Sequence, residues 1–199
     1  MKDELRVFAP FLCPELKLWL LPPDAPSWHS VDAEALGMPY WAFAWPGGQV
    51  LARYVLDHPE VVRGRRVLDF ASGCAVEGVA AAMAGAREVW CADIDARCEE
   101  LAVRNAVLNG VTVQTTTEDL VGSELDFDVV LAGDALYSPE LAARVLPWLR
   151  ASKAVVLIGD PLRVPGALVG VERLATYDAS FDGDPRGLTT WPTHVLRLR

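Results

Sequence analysis

The stretch RVLDFASGCAVEGVAAAMA, residues 66–84, predicts the centre of the fold. Residues 67–70 form a short apolar run that ends at a turn signal, which is typical of a buried strand. Residues 71–75 are a turn of small residues, and the alanine-rich run over 76–84 favours a helix. This order places unpaired backbone N–H groups above the edge of a sheet, where open α/β sheets bind ligands. An ordinary βα connection without a ligand is the alternative for this stretch taken alone, because short glycine motifs also occur by chance.

The composition predicts one acidic domain. With 52% hydrophobic residues, a chain of 199 residues can bury one substantial core. Its net charge of −9, without a basic stripe, argues against a nucleic-acid partner. The N-terminus lacks the pattern of a secretory signal, and no apolar run reaches the length needed to cross a membrane.

The four cysteines and three histidines do not have the spacing of a zinc site. Buried free thiols in a reducing cytosol are the expected explanation for the cysteines. We therefore expect a cytoplasmic, monomeric protein that has no metal site and associates with neither nucleic acid nor a membrane.

Residues 1–46 differ from the rest of the chain, because prolines and tryptophans concentrate there. Residues 15–21 are predicted to form about two turns of helix, an estimate from helix geometry. The remainder is expected to be irregular and ordered by burial of aromatic side chains, including Trp19 and Trp28. Since the segment is too short to hold its own core, we predict an N-terminal cover over 1–46, not an independent domain, and a core domain over 47–199.

The core domain alternates between helical and strand patterns, which is typical of an α/β fold. Helices are predicted over residues 47–57, 76–84, 96–109 and 140–150, with Pro147 expected to break or kink the last. Strands are predicted over residues 66–70, 88–92, 111–116, 127–132 and 154–158, and two later ones over 170–177 and 193–198. Because the five central runs are continuously apolar, they indicate a doubly wound, mostly parallel sheet covered on both faces.

Acidic residues follow the predicted strands at what should be one edge of the sheet. Asp93 comes 24 positions after Asp69 (93 − 69), close to the spacing at which an acid binds ribose hydroxyls. Glu118 and Asp119 follow the third strand, and Asp134 follows the fourth. A single such acid is usually a helix cap or a turn former. Since the turn after the first strand also lacks arginine and lysine, the pattern indicates a cofactor that carries ribose and little or no phosphate.

Several motifs spread over the chain make a resemblance specific: PELKLWLLPP, PYWAFAWPGGQVLARYVLDHPEVVRGRRVLDFASGC, ADID, GDALY, LIGDP and GLTT. On these residues the chain resembles the class I (seven-β-strand) S-adenosylmethionine-dependent methyltransferases. Within that class it is similar to the family of electron transfer flavoprotein β-subunit lysine methyltransferases. The resemblance implies a Rossmann-like seven-stranded sheet with an antiparallel hairpin at one edge. It also implies S-adenosyl-L-methionine as cofactor and a lysine-bearing protein substrate, with the electron transfer flavoprotein β subunit as the suspected one.

The resemblance also implies roles for individual residues. The residues expected to contact the methyl donor are Trp45, Asp69, Ala71, Ser72, Gly73, Asp93, Ile94, Glu118, Asp119 and Gly133. Among them, Asp93 would hold the ribose hydroxyls, and Glu118 or Asp119 would approach the adenine amino group. Asp134 and Tyr137 would form the family's Asp-x-x-Phe/Tyr element, which faces the target nitrogen and is the expected catalytic element.

Two departures from the family pattern stand out. The family's turn is usually Asp-x-Gly-x-Gly-x-Gly, whereas Ala71 and Ala75 replace two of the three glycines here. Alanine is strained wherever the backbone has a positive φ. Ser138 stands where another acid is expected, which indicates that substrate preference can differ.

Two other functions stay open at this stage. One is a small-molecule, nicotinamide-like N-methyltransferase, and the other is a cofactor-binding module without turnover, motivated by Ala71 and Ala75. Asp134 also has an alternative, a helix cap, although Ser138-Pro139-Glu140 already supplies a helix start. If Asp134 is catalytic, Asp134→Asn should reduce methyl transfer and leave donor binding and thermal stability nearly unchanged.

Overall fold

A seven-stranded sheet forms the centre of the computed structural model, which describes residues 4–26, 39–180 and 189–199. The strands are β1 (Arg6–Phe8), β2 (Leu18–Leu20), β3 (Arg66–Phe70), β4 (Glu88–Ala92), β5 (Gln114–Thr116), β6 (Val129–Gly133), β7 (Val155–Asp160), β8 (Glu172–Ser180) and β9 (Thr190–Arg197). The central sheet has the order β5-β4-β3-β6-β7-β9-β8. All neighbours are parallel except β9, which is antiparallel to both β7 and β8. The predicted mostly parallel sheet with an antiparallel hairpin at one edge is confirmed.

Four α-helices cover the sheet in the described part of the chain. They are α1 (Pro46–Asp57), α2 (Val76–Met83), α3 (Ala96–Leu108) and α4 (Pro139–Ala151). All four were expected from the pattern, with ends that differ by one or two residues. Pro147 does not end α4, which continues to Ala151. The buried neighbours Leu146 and Trp148 pack this turn against the sheet and hold the helix together across the proline.

The helix predicted over residues 15–21 is wrong. This segment contains β2, which pairs with β1 as an antiparallel hairpin. Leu16, Leu18 and Leu20 are buried, whereas Lys17 between them is exposed. Apolar side chains therefore alternate with a period of two, the signature of a strand and not of a helix.

Side-chain amides attach the N-terminal cover to the core domain. Asn105 of α3 accepts from the backbone N–H of Trp19 (2.7 Å) and donates to the carbonyl of Cys74 (2.8 Å). Gln49 of α1 is fully buried, and its Nε2 donates to the carbonyls of both Ala44 and Ser180. The described part of the cover thus packs on the core domain, and the boundary at residue 46 stays a prediction. Trp19 is half-buried against this core, and Trp28 lies outside the described residues.

Glycines allow α1 to begin directly on the carboxyl ends of β6 and β7. A Cβ atom on Gly47 would lie 2.1 Å from the carbonyl oxygen of Gly159. A Cβ atom on Gly133 would lie 2.0 Å from Glu77 Oε1 and 2.5 Å from the backbone nitrogen of Gly48. No side chain fits at these distances, so backbone packs against backbone. This contact fixes the residue before the helix, Trp45, beside the ends of the two strands.

The four cysteines, Cys13, Cys74, Cys91 and Cys98, are all buried free thiols. Across the described ranges, no helix combines the length and the apolar character that crossing a membrane requires.

Candidate active site

The turn between β3 and α2 contains three residues in the left-handed backbone region. They are Ala71 (φ 57°), Gly73 (φ 49°) and Ala75 (φ 60°). Only glycine adopts this region without strain, and alanine there costs about 1–2 kcal/mol. The two alanines that depart from the family pattern therefore occupy the strained positions.

Ala71→Gly is expected to stabilise the protein by about 0.5–1 kcal/mol. Removing the strain contributes about 1–2 kcal/mol, and the larger backbone entropy of glycine in the unfolded chain offsets part of that gain. Ala71 is exposed, so no buried methyl contact is lost. Thermal unfolding should show a rise in Tm of about 2–3 °C.

The matched control is Ala143→Gly, an exposed alanine inside α4, which should lower the stability by about 1 kcal/mol. A fall in Tm for both variants would contradict strain at Ala71.

Asp93 closes the other side of this turn, directly after β4. Its Oδ2 accepts from the backbone N–H of Gly73 (2.9 Å), and its Oδ1 accepts from that of Asp95 (3.0 Å). A carboxylate oxygen has two lone-pair sites, so each oxygen can still accept a hydroxyl of a ribose. Ile94 beside it is 72% exposed and offers an apolar surface of the kind that an adenine ring packs on. The residues present therefore fit the nucleoside part of S-adenosyl-L-methionine.

Asp93→Ala is expected to weaken the binding of S-adenosyl-L-methionine by about ten- to a hundredfold. The variant lacks a charged acceptor for the ribose hydroxyls, which is worth roughly 1.5–3 kcal/mol. Titration calorimetry measures the change. The matched control is Asp126→Ala, which lies at the opposite ends of the sheet's parallel strands. Binding as tight as that of the parent protein would refute the role of Asp93.

The two acids after β5 have different surroundings. Asp119 forms an ion pair with Arg144 of α4 and accepts from the backbone N–H of Val121. The Glu118 side chain forms no ion pair within the described ranges. Of the two residues predicted to approach adenine, Glu118 therefore has the carboxylate that is available to a ligand.

Asp69 and Glu77 form a buried pair of carboxyl groups beneath the turn. Both are nearly inaccessible, and Asp69 Oδ2 accepts from the backbone N–H of Gly78 (2.8 Å). Asp69 Oδ1 and Glu77 Oε2 are buried and have no hydrogen-bond partner among the residues that the structure describes. Burial raises the pKa of Asp69 to about 7 and that of Glu77 well above its usual range. The neighbouring Asp69 carboxyl group adds to the rise in the pKa of Glu77, because two negative charges repel each other at this distance.

This pair changes the interpretation of two predicted contacts. Asp69 supports the turn from below, and its carboxyl group is not on the wall of the crevice. Gly133 leaves room for Glu77, so the close packing at this position accounts for the glycine. Ser72 is also buried, and its backbone N–H donates to the carbonyl of Ala92 (3.1 Å), so its side chain faces the protein interior.

Asp134 lies directly after β6 with a buried side chain. Its Oδ2 accepts from the backbone N–H of Gly47, and its Oδ1 accepts from Nε of Arg163 (2.6 Å). Burial raises the pKa of Asp134, and Arg163 opposes that rise. Ser138 Oγ accepts from the backbone N–H of Leu141 at the start of α4. Since Ser138 is the cap of α4, Asp134 is not needed as one.

The ion pair revises the expected effect of Asp134→Asn. A carboxylate without a partner could be replaced at little expense in stability. Here the change removes a charged hydrogen bond from a side chain that is only 7% exposed. The variant is therefore expected to lose stability as well as activity.

An open groove of about 300 Å³ is lined in part by Arg163, the ion-pair partner of Asp134. It is lined by Trp45, Pro46, Pro161, Arg163 and Trp191. Trp45 donates through Nε1 to the carbonyl of Tyr40 (2.8 Å), which fixes its ring. Tyr137, the second member of the predicted catalytic element, is 68% exposed and does not line this groove.

The sequence-based prediction missed Glu77, Arg163 and Trp191. Glu77 is the lone charged residue in an otherwise apolar helix, a pattern that indicates a buried acid. Arg163 follows the LIGDP motif, but only the folded turn directs its side chain to Asp134. Trp191 comes from the far end of the chain, and nothing in its local sequence indicates the groove.

Comparison with known proteins assigns this arrangement to a class. A family model of ribosomal protein L11 methyltransferases matches residues 50–136, from α1 to the segment after Asp134. A ribosomal protein L11 methylase from Lactobacillus delbrueckii subsp. bulgaricus has the same fold, with a TM-score of 0.54 at 21% identity over 75% of this chain and 78% of that one. Magnesium protoporphyrin IX methyltransferase from Synechocystis PCC 6803 also has this fold, with a TM-score of 0.54 at 15% identity over 76% of this chain and 83% of that one. The fold and the turn after β3 are those of a class I S-adenosylmethionine-dependent methyltransferase.

Relatives of higher identity narrow the class to one family. The electron transfer flavoprotein β subunit lysine methyltransferase of Xenopus laevis is 42% identical over 76% of this chain and 65% of its own length. The Rattus norvegicus protein of that name is 40% identical over 92% of this chain and 78% of its own length. This chain belongs to the family of electron transfer flavoprotein β-subunit lysine methyltransferases, and its cofactor is S-adenosyl-L-methionine. It spans just under two thirds of the length of the Xenopus relative.

Proposed function

We propose that this protein transfers a methyl group from S-adenosyl-L-methionine to a lysine side chain of the electron transfer flavoprotein β subunit. The observation that carries this proposal is the position of Asp134, a buried carboxylate next to a groove between two tryptophans. A lysine side chain has the matching shape, an apolar stem that ends in a nitrogen. The relatives named for this substrate support the choice of protein.

Different residues of the chain bind the methyl donor and the acceptor lysine. Asp93 and the backbone around Gly73 hold the ribose, and Ile94 and Glu118 lie on the side of the adenine. The turn over residues 71–75 passes beneath the methionine part. Bound S-adenosyl-L-methionine supplies a methyl group on a positively charged sulfur. Each of these protein groups binds or orients, so positioning accounts for most of the rate.

The acceptor side holds the lysine by its stem and its nitrogen. Trp45 and Trp191 flank the groove and pack against the stem, and their ring faces favour a nearby positive charge. Asp134 accepts a hydrogen bond from the amine and so directs the nitrogen lone pair toward the methyl group. Tyr137 is exposed outside the groove, where the surrounding segment of the protein substrate would bind. The reaction requires no metal and no covalent intermediate on the protein.

We also propose that the protein is a cytoplasmic monomer whose partner is a protein and not a nucleic acid. The buried free thiols of Cys13, Cys74, Cys91 and Cys98 support a reducing compartment. The net charge of −9 repels nucleic acid and favours a substrate surface that carries lysines. Size-exclusion chromatography with light scattering measures the oligomeric state.

The test is a transfer assay with radiolabelled S-adenosyl-L-methionine and the purified β subunit. The expected result is label in the β subunit that depends on the enzyme. A cell lysate assayed in parallel distinguishes the other functions. Label only in small molecules would indicate a small-molecule methyltransferase. Tight donor binding in calorimetry without labelled product would indicate a binding module without turnover.

A further inference from the structure

The turn after β7 directs an arginine back toward the active site. Asp160 is buried and accepts from the backbone N–H of Arg163 (2.9 Å). Leu162 has a φ of 65°, a backbone conformation that a bulky residue rarely adopts. Such strain persists only where surrounding contacts enforce it. Asp160 thus stabilises a strained turn, and this turn determines the position of Arg163.

Arg163 joins Asp134 to the groove. Its Nε donates to Asp134 Oδ1 (2.6 Å), and its guanidinium carbon is 5.8 Å from the centre of the Trp45 ring. The side chain is one third exposed and lines the groove. Asp134 accepts one hydrogen bond on each oxygen, from Gly47 and from Arg163, and a carboxylate offers about four lone-pair sites. Asp134 can therefore hold the substrate nitrogen while it stays paired with Arg163.

The charges around Asp134 come from three elements. Glu77 of α2 has a pKa that burial raises well above its usual range, which favours its neutral form. Asp160 at the end of β7 has a pKa raised to about 6 by burial, so it is mostly ionised at neutral pH. Arg163 is the cation in contact with Asp134 within the described ranges. Without it, the local charge would be negative.

A negative site would keep a proton that blocks the reaction. The proton would sit either on the lysine nitrogen, as an ammonium, or on Asp134, as a carboxylic acid that donates to the nitrogen lone pair. In both states the lone pair is occupied and cannot attack the methyl group. A fixed positive charge beside Asp134 removes the need for that proton.

We propose that Arg163 is a positioning residue that takes the place of this proton, so that the lysine reacts as the free amine beside a paired Asp134. The lysine ammonium first loses its proton to solvent. The nitrogen lone pair then forms the C–N bond while the C–S bond breaks, and the electron pair goes to sulfur. The methylated nitrogen becomes an ammonium and the donor becomes a neutral thioether. This inference rests on the proposed function, because it assumes an amine substrate.

The test compares pH profiles of the parent protein, Arg163→Gln and Arg163→Lys with the β subunit as substrate. Arg163→Gln keeps a donor to Asp134 and removes the charge. We expect the acid limb of its kcat profile to move up by about one pH unit, so that kcat falls about tenfold at pH 7 and approaches the parent value at high pH. KM should stay unchanged or fall, because the ammonium binds the unpaired Asp134 more tightly. Arg163→Lys should restore the acid limb.

Two further measurements separate this effect from damage to the fold. Binding of S-adenosylhomocysteine, measured by calorimetry at pH 7, should be equal in all three proteins. Arg66→Met is the matched control. Arg66 forms ion pairs with Glu88 and Asp126 at the amino ends of the parallel strands, away from the site. Its acid limb should coincide with that of the parent protein. Arg163→Met, which lacks the donor as well, should show the same shift as Arg163→Gln.

An acid limb in Arg163→Gln that coincides with that of the parent would overturn the inference. An equal loss of kcat at every pH would also overturn it, because a purely structural role predicts that result. A different result would refute the proposed function: the parent protein itself would not label the β subunit.

Discussion

Asp134→Asn is expected to lower the rate of methyl transfer by a factor on the order of a hundred or more. Asparagine keeps the size and one hydrogen-bond acceptor but removes the charge that attracts and orients the amine. The variant should also lose roughly 1–3 kcal/mol of stability, because it breaks the charged hydrogen bond to Arg163. Radiolabel transfer measures the rate, and thermal unfolding measures the stability.

The matched control is Asp128→Asn. Asp128 accepts from the backbone N–H of Arg66 (2.7 Å) just before β6, at the end of the strand opposite Asp134. Its replacement should leave the rate unchanged. Binding of S-adenosyl-L-methionine by folded Asp134→Asn should stay within a few-fold of the parent value. Unchanged turnover would refute the role of Asp134, and a loss of activity matched by a loss of donor binding would do the same.

Glu77→Gln is expected to stabilise the protein increasingly as the pH rises. The pKa of Glu77 in the folded protein lies well above the 4.5 of an ordinary glutamate, so the folded state holds a proton that the unfolded state has released. The stability of the parent is therefore greatest below about pH 4.5 with respect to this group and falls as the pH rises toward the folded-state pKa. Within that range, each pH unit costs about 1.4 kcal/mol.

Glutamine avoids this loss because its amide can donate to Asp69 without a titratable proton, and its oxygen keeps the place beside Gly133. Thermal unfolding should show a Tm difference between variant and parent that grows as the pH rises above 5. Glu124→Gln on the surface is the control and should show no such growth. A difference that is constant with pH would show that Glu77 is ionised in the folded protein.

Most of the core domain could be predicted because its signals are local. The strands β3 and β4 have the predicted bounds, since each is an apolar run closed by turn residues. β5 is shorter than expected, with only Gln114–Thr116 paired to its one neighbour, β4. Pairing at a sheet edge depends on the partner strand, which an apolar pattern does not describe.

The N-terminal cover could not be predicted in the same way. Its strand β2 is short, and its period of two competes with a helical interpretation of the same leucines. Contacts with a remote part of the chain favour the strand. The Asn105 amide of α3 accepts from the backbone N–H of Trp19, and the Asn109 amide after α3 accepts from that of Lys17. Contacts over such a separation in sequence leave no local pattern.

In the candidate site, too, the sequence predicts what depends on local signals and not what depends on remote contacts. The acids Asp93 and Asp134 could be placed because each directly follows a predicted strand, and the ends of parallel strands meet at one edge. The groups that pair with these acids could not be placed from the sequence. Arg163 reaches Asp134 only through the strained turn at Leu162, and the raised pKa values of Asp69 and Glu77 depend on burial. Electrostatic surroundings are a property of the packed protein.

The glycines beneath α1 also limit how the protein can diverge. At Gly47, Gly133 and Gly159 even one methyl group would overlap backbone or a buried carboxyl group, so selection can accept almost no mutation there. The close packing therefore constrains the spacing between the tryptophan before α1 and the carboxylate after β6. A lineage that acquires a new acceptor has to alter the wall of the groove instead, where Trp191 is 41% exposed and its replacement would change which side chain the groove accepts.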